Sequence, residues 1–375
     1  MKITAAVVLL LWPAVAVAAE SQGSALRSVA EFGVSPRESD SRNAERMNKA
    51  IAWAEQAYAH IYLPDHIKIA GTLTIDHALG QRGFGLEGPG IIEETANNLP
   101  IIKFVGIDTF QEAVDLHDLN LKFTNEQTPA QPNSYCILFE GDNAMSVFNG
   151  SFSRIQCTNA YRGFGQKGRY NVWGNRWTNI ECKANAGMCL DFRESTGAQP
   201  NNYFGNVYAI PRSSCADQYE FAFERQSTLT LENIETNNTN CGLLFMQTDR
   251  VVNIRHIRFE VGTIGPGMAY QGLITAVGVG VHIEGYEVQT LNVDVGAGKP
   301  FFLFRDAGNH GPPDVLQNAV LWGPKISSGD LYGVQSAYIK VLAEPVYEWL
   351  AARPFPGNVF PYDASTRNVV DVTQR

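Results

Sequence analysis

The sequence lacks the features that mark nucleic-acid-binding, membrane-spanning and zinc-binding proteins. Its 29 Lys and Arg are outnumbered by 38 Asp and Glu, for a net charge of −9, and they form no basic stripe. Nucleic acid and anionic membranes are therefore not expected partners. Beyond the N-terminal stretch, no segment approaches the roughly 20 apolar residues of a transmembrane helix. No Cys-x-x-Cys pair or matching His spacing is present, which disfavours a metal site.

The N-terminus is typical of a secretory signal peptide. Lys2 precedes an apolar run that ends at Trp12, and a stretch of small residues follows as far as Ala19. The apolar run is too short to span a bilayer. We predict a signal peptide over residues 1–19 and a mature protein that is periplasmic or secreted.

A short aromatic signature recurs along the chain. An apolar or small residue, a variable residue and Phe follow one another, as in Ile137–Phe139 and Leu190–Phe192. Phe104 lies 35 residues before Phe139, and Phe223 lies 22 residues before Phe245. Such intervals suit one turn of a solenoid whose loops vary in length. We predict an all-β, right-handed parallel β-helix over residues 79–342, in which one aromatic residue per turn stacks along an interior line, including Phe139, Phe164, Phe192, Phe223 and Phe245.

A second recurring element follows each copy of the first. Its outer two residues are apolar and its inner two mostly polar, a pattern that indicates a strand bending at a corner. Asn is frequent there and tolerates the left-handed backbone conformation. The aligned copies are Phe152–Ile155, Trp177–Ile180, Val207–Ile210, Leu231–Ile234, Ile254–Ile257 and Ile283–Tyr286, and the corner asparagines are Asn149, Asn175, Asn206, Asn233 and Asn253.

All six cysteines fall in one central stretch, and an exported protein is expected to pair them. Spacing alone does not select one connectivity. Cys157 and Cys182 occupy equivalent positions of neighbouring repeats, so we favour that pair. The cysteines are Cys136, Cys157, Cys182, Cys189, Cys215 and Cys241.

The two ends of the solenoid have distinct compositions. Over residues 20–78 we predict an N-terminal cap whose helix is capped by Asp40 or Ser41, and residues 343–375 form a Pro-rich cap or tail. The tail either caps the solenoid or contacts another subunit, so the sequence does not decide whether the protein forms a homo-oligomer. Gly- and Pro-rich insertions at residues 124–134, 195–202, 262–270 and 308–314 are expected to wall a groove. The helix is expected to bury Ala44, Met47, Ile51, Ala54 and Tyr58.

The N-terminal motifs resemble the signature of the pectate-lyase-like superfamily. Phe32–Val34, Asp40, Ile61–Pro64 and Gly71–Ile75 carry this resemblance over roughly residues 30 to 77. The Gly-Asp-Gly usual before the helix is replaced here by residues 35–38. The superfamily includes polysaccharide lyases, polygalacturonase-like hydrolases, epimerases and phage tailspike depolymerases.

The resemblance implies a parallel β-helix and a polysaccharide or oligosaccharide ligand, without naming a reaction. The paired aspartates of polygalacturonases are missing, and residues 309–311 match their Gly-His-Gly element only in part. The calcium-binding aspartates of pectate lyases are not recognisable. No cofactor is therefore predicted with certainty, and calcium stays open.

Aligning the corner elements places acidic and basic residues in two columns. One contains Glu232, Arg255 and Glu284, and the next contains Glu235, Arg258 and Glu287, with His256 between the columns. The columns either form a surface ion-pair ladder or a catalytic face. A lyase would use an arginine to neutralise a uronate carboxylate and His256 or an arginine as base. The candidate catalytic residues are Glu235, Arg258, His256, Arg255, Glu232 and Glu284.

A second charged group follows the Phe copies and either solvates turns or binds substrate. Tyr208 and Trp173 could supply stacking surfaces for sugars. The group comprises Asp191, Arg193, Glu194, Glu224, Arg225, Arg305 and Asp306, and the candidate substrate-binding residues are Arg193, Glu224, Arg225, Tyr208 and Trp173.

The sequence predicts an exported enzyme that cleaves an acidic extracellular or capsular polysaccharide, with lyase chemistry preferred to glycoside hydrolysis. A hydrolase would need two carboxylates roughly 5 to 5.5 Å apart for retention or about 6.5 to 9.5 Å apart for inversion. The same sequence features are also compatible with a C-5 epimerase and with a non-catalytic polysaccharide-binding solenoid.

Overall fold

The computed structural model describes fourteen segments of the 375-residue chain. The signal peptide predicted over residues 1–19, residues 309–311, Asp306 and the tail of residues 343–375 lie outside them. None of the helices within these segments has the length and apolarity needed to cross a membrane. The segments are residues 25–76, 83–105, 111–141, 146–168, 171–194, 199–212, 216–239, 241–247, 251–264, 274–277, 280–293, 302–305, 320–326 and 339–341.

The single α-helix of the described residues, α1 (Asp40–Ala57), packs one apolar stripe onto the first coil. Ala44, Met47, Ile51 and Ala54 are buried, as the helical spacing predicts. The predicted N- and C-terminal ends of this helix were inexact. Ser39 is the N-cap residue, in place of Asp40 or Ser41. Tyr58 is half-exposed and takes a left-handed conformation that ends the helix, because the chain turns there into the first coil.

The strands form three parallel sheets, which confirms the predicted parallel β-helix. A 3-10 helix (Val29–Phe32) precedes α1. The fourteen-stranded sheet contains β1 (Leu26–Ser28), β2 (His60–Tyr62), β3 (His66–Ile69), β5 (Gly85–Glu87), β6 (Ile91–Glu94), β9 (Asp115–His117), β10 (Asn120–Phe123), β13 (Ser151–Thr158), β16 (Arg176–Lys183), β18 (Asn202–Ile210), β20 (Thr228–Thr239), β22 (Val251–Ile264), β24 (Gly280–Val293) and β26 (Val320–Ile326). The ten-stranded sheet contains β4 (Leu73–Asp76), β7 (Ile102–Val105), β11 (Tyr135–Gly141), β14 (Arg162–Gly168), β17 (Leu190–Phe192), β19 (Tyr219–Glu224), β21 (Gly242–Gln247), β23 (Ile274–Val277), β25 (Phe302–Arg305) and β27 (Ile339–Val341), and the three-stranded sheet contains β8 (Gln111–Glu112), β12 (Ser146–Phe148) and β15 (Asn171–Trp173).

The predicted interior line of phenylalanines is correct for some coils and wrong for two. Phe104 and Phe139 pair in register with ring centroids 4.6 Å apart, and Phe192 pairs with Phe223 at 6.0 Å. Between these pairs the position belongs to the buried Gln166, because β14 is shifted by two residues and Phe164 lies in the Leu190 column.

Phe245 is likewise displaced by one residue. Phe245 pairs with Ala222 on the outward side of the strand and is only partly buried. Its ring centroid lies 5.4 Å from that of Tyr219. Met246 takes the interior place opposite Phe223. A flexible apolar side chain fills that place as well as Phe does, so the repeat tolerates the shift.

A second aromatic stack lines the fourteen-stranded sheet. Trp177 is fully buried. Its ring centroid lies 4.0 Å from that of Phe152 on one side and 5.8 Å from that of Phe204 on the other. The partner of Trp177 is therefore Phe204, and the alignment that placed Val207 there was wrong by three residues. Both residues are apolar, so the pattern alone did not distinguish the two registers.

The corner of each coil is built by residues with positive φ. Asn179, Asn206 and Asn233 occupy this position in three successive coils, at φ values of 55, 54 and 52°. Their amides form a ladder, since Asn206 Nδ2 donates to Asn179 Oδ1 at 3.1 Å and Asn233 Nδ2 donates to Asn206 Oδ1 at 3.0 Å. Arg154 and His256 take the same place in other coils.

The disulfides differ from the favoured pair. Cys136 bonds to Cys157 and Cys182 bonds to Cys189, with Cα–Cα distances of 5.8 and 5.7 Å. Cys157 and Cys182 are neighbours in register, as predicted, but partners on parallel strands direct their Cβ atoms the same way. Each instead crosses the interior, Cys157 to β11 of the ten-stranded sheet and Cys182 to the residue before β17. Cys241 is also disulfide-bonded.

Candidate functional site

The two predicted corner columns exist in the predicted register. Glu232 pairs with Arg255, which pairs with Glu284, and Glu235 pairs with Arg258. Arg258 donates to Glu235 Oε1 at 3.2 Å, with about a quarter of each side chain exposed (26% and 27%).

The Arg258–Glu235 contact is a cross-strand ion pair. Glu232 accepts a hydrogen bond from the Tyr203 hydroxyl at 3.0 Å, and the corner geometry accounts for the positive φ of the exposed His256. A catalytic role for these residues stays a prediction.

The two predicted stacking residues lie apart from each other. Trp173 belongs to the three-stranded sheet and stacks on Phe148 at 4.8 Å. Tyr208 lies on the outer face of the fourteen-stranded sheet, in register with Glu235, and accepts a hydrogen bond from Asn237 Nδ2 at 3.4 Å. The structure does not bring them together with Arg193 and Glu224.

Two residues of the second predicted group, Asp191 and Arg193, belong to a buried charged cluster on the ten-stranded sheet. Asp191 is only 4% exposed and is held by two arginines. Arg193 donates to both of its oxygens, at 2.6 and 3.0 Å, and Arg162 contacts Oδ2 at 2.9 Å. Because every contact is charge-assisted, the Arg193 guanidinium has a fixed orientation.

Arg162 is the centre of this cluster. It binds both oxygens of Asp217 at 2.9 Å and donates to the Tyr135 hydroxyl at 3.0 Å. Burial alone would raise the pKa of Asp217, but the hydrogen bonds and charge of Arg162 outweigh it, so that pKa lies below its usual value. The network links Arg162 to Tyr135 in the preceding coil and to the aspartates of the two following coils.

Beside this network, three charged residues of successive coils form an outward column, which we call the Lys167 column. Gly165 pairs with Asp191, so Lys167 and Arg193, each two residues further on, are neighbours. Phe192 pairs with Phe223, so Arg193 and Glu224 are neighbours too. Adjacent strands lie about 4.8 Å apart, which places a lysine, an arginine and a glutamate in one line.

The Lys167 column carries perturbed pKa values at both ends. Burial lowers the pKa of Lys167, and burial raises the pKa of Glu224. Lys167 also donates to Asn133 Oδ1 at 2.6 Å and to the Pro132 carbonyl at 3.2 Å. These contacts place it against the insertion of residues 124–134, one of the loops expected to wall a groove.

Sequence reasoning found Arg193 and Glu224 but missed Arg162, Lys167 and Asp217. The copy at Arg162–Phe164 was recognised, but Phe164 was placed two residues out of register. With that error Lys167 falls outside the column. The strand after Phe164 offers no signal that could have corrected this error, because Phe164, Gly165 and Gln166 are all buried. Arg225, the third predicted binding residue on this face, is exposed and has a positive φ.

Among the residues that the structure describes, no three His, Cys, Asp or Glu side chains are arranged to hold a metal ion. Calcium, left open by the sequence, therefore has no assigned ligands in these segments.

The chain has distant similarity to three solved structures. No family model matches the chain, and no curated protein matches its sequence. The A-module of the mannuronan C-5 epimerase AlgE6 of Azotobacter vinelandii is 14% identical with a TM-score of 0.45, and the alignment covers 81% of this chain and 87% of that one. The catalytic unit of a GH87 α-1,3-glucanase of Streptomyces thermodiastaticus is 14% identical with a TM-score of 0.47, covering 82% of this chain and 60% of that one. Tailspike protein 3 of bacteriophage CBA120 is 10% identical with a TM-score of 0.31, also covering 82% and 60%.

The assignment of the fold rests on the strand pairing of this chain itself. A parallel β-helix with an N-terminal helix is the architecture that the pectate-lyase-like resemblance implies.

Proposed function

We propose that the chain binds an acidic polysaccharide across the Lys167 column and cleaves it by β-elimination. The observation that carries the proposal is the order of the column, in which a partly buried lysine, an arginine fixed by Asp191 and a partly buried glutamate follow one another. Elimination from a uronate needs a base, a cation for the carboxylate and an acid for the leaving oxygen, and these three groups supply them in that order.

Each group has one step. Arg193, oriented by Asp191, binds the uronate carboxylate and makes the neighbouring C–H bond more acidic. Lys167 Nζ takes that proton, and the electron pair forms a carbon–carbon double bond as the bond to the next sugar breaks. The departing oxygen takes the proton of Glu224. Burial favours the neutral forms that both residues need, since it lowers the pKa of Lys167 and raises that of Glu224.

Paired-carboxylate hydrolysis has less support on this face. Glu140 and Glu224 are three strands apart in the same column, about 14 Å at 4.8 Å per strand, beyond the roughly 9.5 Å that inversion tolerates. Asp191 and Asp217 are both bound by Arg162, and its hydrogen bonds and charge hold the pKa of Asp217 below its usual value, so Asp217 is a poor proton donor.

The experiment is a screen of acidic polysaccharides followed at about 235 nm, where the double bond formed by elimination absorbs. Alginate, polygalacturonate and hyaluronan are the probes, with wild type and Lys167→Met compared on any that react. We expect a rise in absorbance that Lys167→Met abolishes. Lys183→Met is the matched control, because Lys183 pairs with Glu181 at 2.7 Å on the other sheet.

Three outcomes would overturn the proposal. Release of reducing ends without absorbance would make the reaction hydrolysis. A change in the ratio of C-5 epimers without chain cleavage would make it epimerisation. Binding of a probe with no turnover by any assay would leave a non-catalytic solenoid.

A further inference from the structure

A separate cleft lies at the corner of the fourteen-stranded sheet, in the coils nearest α1. Its volume is about 380 Å³, within the roughly 300 to 1,000 Å³ range of ligand pockets. It belongs to a different sheet and to earlier coils than the Lys167 column. The polar side chains that line it are Tyr62, Glu87, His117, Asp118, Asn120 and Arg154.

His117 joins the two carboxylates of the cleft. Its Nε2 lies 2.9 Å from Glu87 Oε2 and its Nδ1 lies 2.7 Å from Asp118 Oδ2. The ring is 19% exposed, so one edge faces the cleft while both nitrogens are engaged. A histidine held on both sides presents the two carboxylates at fixed positions.

Arg154 is the unusual residue among those that line the cleft. It binds Asp118 through two nitrogens, at 2.5 and 2.7 Å, and lies at the corner position that Asn179, Asn206 and Asn233 occupy in the following coils. Its φ is 52°, and that of Asp118 is 62°. Asp, like Asn, tolerates this conformation, but Arg does not, so the coil tolerates strain at Arg154 and keeps this pair.

The charges of the cleft select its ligand. Asp118 is ionised, because the hydrogen bond from Arg154 holds its pKa below the usual range. With the carboxylates of Glu87 and Asp118 beside the single guanidinium of Arg154, the cleft has no surplus of positive charge for a second carboxylate or a phosphate. Carboxylate oxygens accept from hydroxyls, Asn120 and Arg154 offer planar polar groups, and the half-buried Tyr62 offers a ring face.

We propose that this cleft is a binding site for an uncharged, hydroxyl-rich sugar, separate from the elimination site and not required for it. A polymer or oligosaccharide with neutral residues would then be held at two places on one solenoid, on the ten-stranded sheet through its acidic residues and at this corner through its neutral ones.

Isothermal titration calorimetry on the full chain tests this. The probes are uncharged hexasaccharides of glucose, mannose and galactose, with trigalacturonate as the charged comparison. Arg154→Asn is the principal variant, since Asn already stands at this corner in three coils and fits the backbone there. We expect one uncharged probe to bind, and both Arg154→Asn and Tyr62→Ala to weaken it about tenfold or more, the value of one charge-assisted contact.

Two controls separate this site from its surroundings. Glu181→Gln removes a carboxylate from the same sheet outside the cleft, and Lys167→Met removes the proposed base on the other sheet. Both should leave the affinity within about twofold of wild type. Melting temperatures of all variants establish that they are folded.

The proposal is overturned if no uncharged probe binds wild type, or if binding persists unchanged in both cleft variants. Binding of trigalacturonate alone, weakened by Arg154→Asn, would overturn the ligand class. Loss of affinity in Lys167→Met but not in Arg154→Asn would place the neutral sugar on the elimination face. Turnover at about 235 nm is recorded separately and bears only on the elimination site.

Discussion

The two faces of this solenoid carry the same kinds of charged residue in the same columnar arrangement, but they bury those residues to different depths. On the corner of the fourteen-stranded sheet, Glu235 and Arg258 form a partly exposed pair. On the ten-stranded sheet, Asp191 is almost fully buried, and burial shifts the pKa values of Lys167 and Glu224. A column of charges is therefore a regular product of stacked coils, and desolvation distinguishes a candidate site from a ladder.

The largest expected effect tests the acid of the Lys167 column. Glu224→Gln should lower kcat/KM by about 10² to 10⁴, the usual contribution of a general acid. The Lys167 contribution rises with pH, since only the neutral amine accepts a proton, and the Glu224 contribution falls with pH, since only the protonated carboxyl donates one. The profile of kcat/KM against pH should be bell-shaped for wild type and should only rise with pH for Glu224→Gln.

Glu140→Gln is the matched control for that prediction. Glu140 lies in the same column but pairs with Lys103. Glu140→Gln should keep a bell-shaped profile, with its Lys167 limb moved to lower pH, because the charge of Glu140 raises the pKa of Lys167. If Glu224→Gln kept the bell-shaped pH profile of wild type, Glu224 would have no part in the mechanism.

A large effect on stability is expected from the network behind the column. Arg162→Met leaves Asp191 and Asp217 with less compensation in a buried environment, which typically costs about 3 to 5 kcal/mol. Urea unfolding monitored by tryptophan fluorescence measures this. Arg176→Met is the comparison, because Arg176 is exposed and lies 4.3 Å from the Tyr203 ring centre, and it should cost about 1 kcal/mol or less. Equal losses in the two variants would mean that the faces do not differ in desolvation.

The part of this molecule that sequence reasoning recovers is the part set by period and polarity. Stacked coils repeat, so the registers of Glu232 with Arg255 and of Glu235 with Arg258 followed from counting residues between copies. Counting fails where two residues compete for one interior place, as Phe164 and Gln166 do in β14 and as Val207 and Phe204 do in β18.

The candidate site was harder to predict because it depends on depth. Sequence places Arg193 after a Phe copy but does not show that Asp191 beneath it is buried or that Arg162 reaches both Asp191 and Asp217. The corner cleft depends on Arg154 binding an aspartate 36 residues earlier in the chain. Such contacts follow from coil geometry and not from local pattern.

A moderate effect is expected at the asparagine ladder. Asn206→Ala should cost about 1 kcal/mol, because alanine tolerates φ of 54° less well than asparagine. Asn206→Gly loses the same side-chain bonds but fits the left-handed conformation, so it should be the more stable of the two by urea unfolding. If alanine equals glycine, the ladder bonds and not the corner conformation determine stability.

The smallest expected effect lies on the corner face, where a catalytic role is still predicted by the sequence. If Glu235 and Arg258 only form a ladder, Glu235→Gln, Arg258→Ala and the double variant should give a coupling energy of about 0.2 to 1 kcal/mol in urea unfolding, as partly exposed pairs do. Turnover at about 235 nm should stay within about twofold of wild type. Loss of turnover with stability retained would reverse the comparison between the faces, because a partly exposed pair would then carry the chemistry and the desolvated column would be the scaffold.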